Sequence, residues 1–344
     1  AYTAAVADTL LHSYRIVAIN EGGRSFPSET LSYGRVEGSK GTVMVVNGFT
    51  RVSGPDWVDT CGITGFTDEI DHGVPYMSNA NYIGSQYELK RSRRWRDDDS
   101  GGWGASRGNW EGRVVAGNTF DYPRVHGEAI MRAGYSFVSS SVKAVEDGTA
   151  RLGRYCAVDL IMGKQKTVPN GRGAYPDRYP VFTPALRRAV EAYCKGGGNV
   201  LLSGSYVASD VFDRAVPDSA AVRFASQVLG YRWGTDRASV TGKAHTVATV
   251  YPEIPADHRV AFSNELNDSV YCVESPDAIY RVDDSGSIFL RYCENDKPAG
   301  VVCNRGTYRT VVMGFPFETI IDCADRFRLM DYALKCATGA KPAK

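Results

Sequence analysis

The chain has 344 residues, 43% of them hydrophobic and 23% charged, which is the profile of an ordinary soluble globular protein long enough for one large domain or two modest ones. Forty basic residues against thirty-nine acidic ones leave a net charge of +1, so bulk electrostatics directs the chain neither to nucleic acid nor to an anionic membrane. No run reaches the length of a membrane-spanning helix, and the first residues carry no basic segment followed by an apolar core.

In chain order, Tyr14 to Asn20 reads as a strand, Glu21-Gly22-Gly23 as a turn, and Ser25-Phe26-Pro27-Ser28 as an edge strand carrying proline. Gly41 to Phe49 is a continuous apolar run ending in Asn47-Gly48, as expected of the first buried parallel strand. From about residue 51 to 119 the chain is rich in Gly, Asp, Ser and aromatics with little periodicity, a long insertion of the kind that is usually functional. Its aromatic residues, Trp95 and Trp103 among them, read either as a carbohydrate-stacking surface or as filling beneath a long loop. Within it, the basic cluster Lys90 to Arg94 is soon followed by Asp97-Asp98-Asp99, so self-neutralisation is expected there rather than a phosphate groove. The three aspartates on their glycine-rich loop also make calcium a possible ligand, although the ligand order of an EF-hand is absent.

Asn118 to Gly127 leads into a helix running through Ala133, with Thr119 or Asp121 as candidate caps. Tyr135–Ser139 and Cys156–Gly163 are predicted strands. The next helix has Thr183 as cap, Pro184 at its first position, an apolar face of Leu186, Ala189, Val190 and Tyr193, and Gly196 as its left-handed stop. A buried strand, Asn199 to Leu202, then runs into the tight turn Ser203-Gly204-Ser205. Ala220 to Leu229 reads as an amphipathic helix, and β signals dominate from Ser239, including a hairpin of Ser287–Cys293 with Ala299–Cys303. Thr310 to Glu318 reads as a late buried strand with a proline exit, and a last helix carries Phe327, Met330, Ala333 and Leu334 on one face before Gly339.

Alternation of strand and helix in this order predicts an α/β fold, a mostly parallel sheet flanked by helices, with a short β segment at the N-terminus. Ligands and nucleophiles of open α/β sheets sit at the carboxyl ends of the strands, and a serine on a strand-to-helix turn can be held exposed there. Ser205 is therefore a candidate nucleophile, alternatively a small residue required by a crowded turn. A hydroxyl needs a base, and His126, with Asp121 close by, is the candidate, with Asp121 or Glu318 as its orienter. The bland alternative for His126 and Asp121 is a helix cap beside a solvated histidine. The eight cysteines show no CxxC pair and no Cys/His cluster with zinc spacing, so no structural metal is expected. Cys156, Cys194 and Cys336 read as small buried hydrophobes, while Cys293 and Cys303 flank the hairpin and could pair in an oxidising compartment.

Three stretches carry resemblances. Tyr14-Arg15-Ile16-Val17-Ala18-Ile19-Asn20 with Gly22-Gly23 and Ser25 resembles the last two strands of a fibronectin type III module, which places residues 1–36 in such a module and residues 37–344 in the α/β domain. The glycine-stopped helix before Ser205 and the late Gly314-Phe315-Pro316-Phe317-Glu318 resemble the class I glutamine amidotransferase-like fold. In that superfamily a cysteine stands at the elbow and a His-x-Glu pair follows a late strand. Here the elbow residue is Ser205 and Pro316-Phe317-Glu318 stands where His-x-Glu is expected, which implies that amidotransferase chemistry is lost. Taken whole, with Val46-Asn47-Gly48-Phe49, the Asp-rich tryptophan loop and Asn118-Thr119-Phe120-Asp121-Tyr122-Pro123-x-x-His126-Gly127, the chain resembles secreted bacterial envelope proteins labelled xanthan lyase or golvesin C-terminal-like.

The resemblance implies a secreted, periplasmic or cell-surface setting within a longer parent chain, with neighbouring domains as contacts. The leading expectation is a catalytically degenerate domain that binds a cell-wall or polysaccharide ligand without a cofactor. Trp95, Asp97, Asp98, Asp99, Trp103 and Tyr122 are the candidate ligand-binding residues, with Asp121 and His126 beside them. The alternatives are a serine hydrolase acting through Ser205 on a peptidoglycan or polysaccharide-linked substrate, and a structural spacer docking on neighbouring modules.

Overall fold

Parallel strands covered on both faces are apolar for most of their length, and Val43 to Val46, Val200 to Leu202 and the run from Ala157 to Met162 are buried in this way, Asp159 being the one charged residue among them. The computed structural model describes residues 8–25, 28–50, 121–170, 175–265 and 270–339, together with the backbone of two further strands, Trp57–Thr60 and Ile63–Phe66. Trp95, Asp97, Asp98, Asp99 and Trp103, with the calcium reading attached to those aspartates, lie outside the described residues.

The main sheet has eleven strands: β1 (Leu11–Tyr14), β2 (Leu31–Gly34), β3 (Thr42–Asn47), β4 (Ser136–Ser141), β5 (Ala157–Gly163), β6 (Asn199–Gly204), β7 (Lys243–Thr246), β8 (Arg259–Ala261), β9 (Gly286–Tyr292), β10 (Pro298–Asn304) and β11 (Arg309–Met313). Their spatial order is β1-β2-β4-β3-β5-β6-β11-β10-β9-β7-β8. The centre, β4-β3-β5-β6-β11, is parallel. Both flanks are antiparallel: β1 and β2 on one side, β10 to β8 on the other. The fold is thus α/β with a parallel centre, as the alternation of elements requires. The antiparallel flanks come from short connections such as the turn after Tyr292, because a parallel return needs a crossover of a dozen or more residues. Residues 11–34, read as the end of a separate module, supply two strands to this same sheet.

Three principal helices cover the sheet: α1 (Tyr122–Arg132), α2 (Pro184–Lys195) and α3 (Cys323–Thr338). Alternate strand residues face opposite layers. Val43, Val45, Ile161, Leu201 and Val311 pack with Ile130 of α1 and with Leu329, Ala333 and Leu334 of α3. Met44, Val46, Leu160, Leu202 and Val312 pack with Leu186 and Val190 of α2. Gly127 of α1 lies so close to Phe137 that a Cβ there would fall 2.0 Å from its ring, which is why this turn of the helix carries glycine.

Local signals explain the boundaries. The Thr183 hydroxyl accepts the Leu186 N–H at 3.1 Å and Pro184 opens α2 as predicted. Gly196, however, sits at φ −77°, and it is Gly197, at φ +87°, that takes the left-handed conformation. The predicted helix 220–229 begins at Ser219, capped by Asp218, and widens into a π-helix over Phe224–Leu229. There the Thr310 hydroxyl, the Tyr308 hydroxyl and the Arg305 guanidinium donate to the carbonyls of Leu229, Val228 and Ser226. Side-chain donors from the β10–β11 hairpin thus accept the role of the missing helical N–H groups. The late strand ends at Met313 rather than continuing to Glu318, and Phe317–Thr319 form a single 3-10 turn.

Cys293 and Cys303 do not pair. Cys303 lies opposite Gly286 at the start of β9, whereas Cys293 follows the other end of that strand, exposed beside His245. The seven described cysteines are all free thiols.

Candidate functional site

The parallel strands place one polar group inside the layer between sheet and α1. Asp159 sits in the middle of β5, flanked in register by Val45 and Leu201, on the face that packs against α1 and α3. His126, on the second turn of α1, is completely buried above it. Its Nδ1–H donates to Asp159 Oδ2 at 2.7 Å and its Nε2–H to Glu318 Oε2 at 3.2 Å. The Tyr271 hydroxyl donates to the other Glu318 oxygen at 2.8 Å, and the Phe317 ring meets the imidazole edge-on at 4.8 Å.

Burial alone would pull the imidazole down, but the Asp159 and Glu318 carboxylates outweigh it and push it up to about 9. At neutral pH His126 is therefore an imidazolium held between two carboxylates. Burial, reinforced by Glu318, holds the Tyr271 phenol well above its usual range. Both ring nitrogens being donors, this imidazole has no lone pair with which to take a proton from a hydroxyl.

Ser205 follows β6 by one residue, and its N–H donates to the Gly163 carbonyl at 2.8 Å. Its Oγ is buried and has no hydrogen-bond partner among the described residues. The structure corrects the catalytic grouping inferred from sequence in two ways. His126 and Glu318 do meet, but Asp159, not Asp121, holds the Nδ1 side of the ring, and Ser205 makes no hydrogen bond to His126. Asp121 stands at the N-cap of α1 without a side-chain cap bond. The turn after Ser205 also uses its amides internally, since Ala208 and Ser209 donate to Asp277 Oδ2 at 2.7 and 2.9 Å. Asp277 is completely buried, and that burial raises its carboxyl well above the usual range. Tyr122, expected at a ligand surface, is a core residue: its ring stacks on Phe49 at 5.9 Å and meets Tyr271 edge-on at 5.5 Å.

Asp159 was missed from sequence although its signal is visible there, as a lone aspartate within an otherwise apolar buried strand. Such a carboxylate demands a buried partner.

A second polar region lies where the fold leads one to look. At the carboxyl ends of β5 and β6 there is an open cavity of about 520 Å³. Several of its wall residues are hydrogen-bonded to one another. Asp210 accepts the Thr167 N–H, the Thr167 hydroxyl and the Val181 N–H at 3.0, 2.9 and 3.1 Å, and burial nevertheless raises its carboxyl. Arg214 donates to the Thr167 hydroxyl at 2.9 Å and to Asp177 at 2.7 Å. Tyr206 is fixed from behind, its hydroxyl donating to Glu274 at 2.6 Å while the buried Lys164 ammonium lies 2.8 Å from the other Glu274 oxygen. The Lys166 ammonium lies 4.9 Å from the centre of the Tyr206 ring. Arg237, also on the wall, has φ +43°, a conformation that a side chain adopts only under constraint.

Among the described residues no group of three or more His, Cys, Asp or Glu side chains is disposed to hold a metal ion, and no helix is long and apolar enough to cross a membrane.

No family model and no curated protein matches the chain. Solved structures are distantly similar. A cytoplasmic protein from Salmonella typhimurium is 12% identical, the match covering 85% of this chain and 98% of that one with a TM-score of 0.43. A β-galactosidase from Bacillus circulans is 12% identical over 66% of this chain at a TM-score of 0.42, and an exo-β-1,4-mannosidase from an Opitutaceae bacterium 10% identical over 67% at 0.37. The chain spans only 29% and 34% of those two enzymes. Likenesses of this size assign neither a family nor an activity.

Proposed function

We propose that this chain is a non-catalytic α/β domain that binds a glycan, of cell-wall or other polysaccharide origin, in the cavity at the carboxyl ends of β5 and β6. The observation that carries the reading is that cavity's construction. About 520 Å³ is room for one or two sugar rings, and it is walled by hydrogen-bonded aspartate, arginine and threonine side chains with Tyr206 at its back. Fixed polar groups beside an aromatic ring suit a polyhydroxylated ligand, because they need not be ordered when it binds. The absence of catalysis rests on the hydrogen bonding of His126 and Ser205: the imidazolium has no acceptor nitrogen, and the serine hydroxyl meets no base among the described residues. A secreted, cell-envelope setting rests on the sequence resemblance alone.

The test is retention on purified peptidoglycan and on a broad glycan array, compared between wild type and the cavity variant Arg214→Ala. Retention by wild type that falls about tenfold in the variant is expected, the loss of a charge-assisted hydrogen bond to ligand. No retention on any glycan overturns the proposal. Labelling of the protein by a fluorophosphonate, abolished in both Ser205→Ala and His126→Ala, would replace it with a serine hydrolase.

A further inference from the structure

The cavity and the buried His126 site are joined by one irregular stretch of chain, Tyr271 to Asp277. Connecting segments ordinarily run over the surface, but six of these seven residues are buried. The stretch begins on the histidine site: the Tyr271 hydroxyl donates to Glu318 Oε1 at 2.8 Å, and Glu318 Oε2 accepts from His126. A backbone route runs beside it, the Val273 N–H donating to the Ser263 carbonyl and the Ser263 N–H to the Thr319 carbonyl, each at 2.9 Å.

The remainder of the stretch holds one side of the cavity. Glu274 accepts the Tyr206 hydroxyl at 2.6 Å and pairs with Lys164 at 2.8 Å. Ser275 lines the cavity, and its hydroxyl accepts the Arg237 N–H at 3.3 Å, while the Pro276 carbonyl accepts the Ala238 N–H at 2.8 Å. The costly left-handed backbone of Arg237 is thus held on both sides by this stretch. Asp277 Oδ2 accepts the Ala208 and Ser209 N–H groups. Tyr206, Ser209, Arg237 and Ser275, all of them cavity wall, are therefore placed by residues 274–277. Tyr271 and Glu274 are three residues apart, at most about 11 Å of extended chain, and both are anchored by buried hydrogen bonds, so little slack separates the two anchors.

We propose that His126, Glu318 and Tyr271 are positioning residues of the cavity: the buried Glu318–His126 pair fixes Tyr271, and residues 271–277 carry that constraint to Tyr206, Ser209 and Arg237. This control of ligand binding rests on the glycan-binding reading of the cavity. The titratable groups that bear on His126 are Asp159 on β5, Glu318 on the turn after β11 and, through Glu318, Tyr271. As His126 gives up a proton near pH 9, the neutral ring keeps Nδ1–H on Asp159 and turns the Nε2 lone pair toward Glu318. The carboxylate then loses its cationic partner and the Tyr271 anchor loosens.

The experiment has two arms, both on the whole chain, comparing wild type with Tyr271→Phe, which keeps the ring against Phe49 and Tyr122 and removes only the hydroxyl. Thermal unfolding verifies that the variant folds. In the first arm, retention on purified peptidoglycan and on the glycan array is expected to fall about fivefold in the variant at neutral pH, although Tyr271 does not line the cavity. In the second, the methyl signals of Val273, in the stretch, and of Val207, beside Tyr206, are followed by NMR without ligand from about pH 7 to about pH 10. Both are expected to shift in wild type with a midpoint of about 9, and Val207 to lose that transition in Tyr271→Phe. Glu318→Gln is the second variant, and it is expected to move the transition to lower pH. Asp277 and Tyr206, which also lie close to Val207, keep their own effects when Tyr271 is changed. A Val207 transition that neither substitution alters therefore overturns the proposal, as does unchanged retention by folded Tyr271→Phe. No retention of wild type on any glycan removes the binding function, while loss of the Val207 transition in Tyr271→Phe would still establish that the histidine site positions the cavity wall.

Discussion

The buried imidazolium makes the stability of this fold depend on pH in a defined direction. His126 titrates at about 9 in the folded protein against an ordinary value of 6.5. A basic group whose value is raised on folding contributes stability that is fully present below the unfolded value and is lost as pH rises through the folded one. The difference of two and a half units corresponds to about 3 kcal/mol at low pH, of which about 2 kcal/mol should disappear between about pH 6 and about pH 8.5. The assay is urea denaturation across that range, comparing wild type with His126→Leu/Asp159→Asn/Glu318→Gln, in which the whole charged group is neutralised. Buried thiols such as Cys194, Cys272 and Cys336, each pushed up to about 12 by burial, also cost stability as pH rises, but only once the unfolded thiol begins to ionise near 9. Subtracting the two profiles removes their contribution and that of Asp277. Glu318→Gln alone takes away one of the two carboxylates, so His126 should release its proton earlier and the decline should begin at lower pH. A difference profile that is flat between about pH 6 and about pH 8.5 refutes the assignment of a buried imidazolium.

Lys164→Met should destabilise the fold by about 3 to 5 kcal/mol, because it strands the buried Glu274 carboxylate, and adding Glu274→Gln should recover most of the loss in a double-mutant cycle. Gly127→Ala should cost about 1 to 3 kcal/mol in denaturant unfolding, since its methyl group would occupy the place of the Phe137 ring, and Phe137→Leu in the same chain should relieve part of it. Thr183→Ala should cost about 1 kcal/mol by removing the cap of α2. A thiol reagent applied to the native protein should modify the exposed Cys293 and Cys323, with Cys194, Cys272, Cys303 and Cys336 reacting only after unfolding, as mass spectrometry of digested samples will report.

The sequence by itself determined those features whose cause is local. An apolar run bounded by turn residues has to be a buried strand, and Val43–Val46 and Val200–Leu202 are such strands. Thr183 followed by Pro184 opens a helix whatever surrounds it, and α2 begins there. Alternation of these elements was enough for an α/β sheet with a parallel centre. Where a local signal had two neighbouring solutions, packing chose: Gly196 and Gly197 both permit a helix stop, and the second provides it because Gly198 must then pass beneath the Tyr193 ring. Tertiary structure also decided which polar residues meet. His126, Asp159 and Glu318 are separated in the chain by 33 and by more than a hundred residues, and they converge only because α1 lies across β5 beside the end of β11. Asp121 and Ser205 were the plausible partners by sequence proximity or by motif, but proximity along the chain does not set the direction of a side chain from a helix or past the end of a strand. The cavity was illegible for the same reason. Its walls come from five separate segments, and the donors that meet Asp177 and Asp210 there stand on other segments, a property of the packed chain and of no single stretch of it.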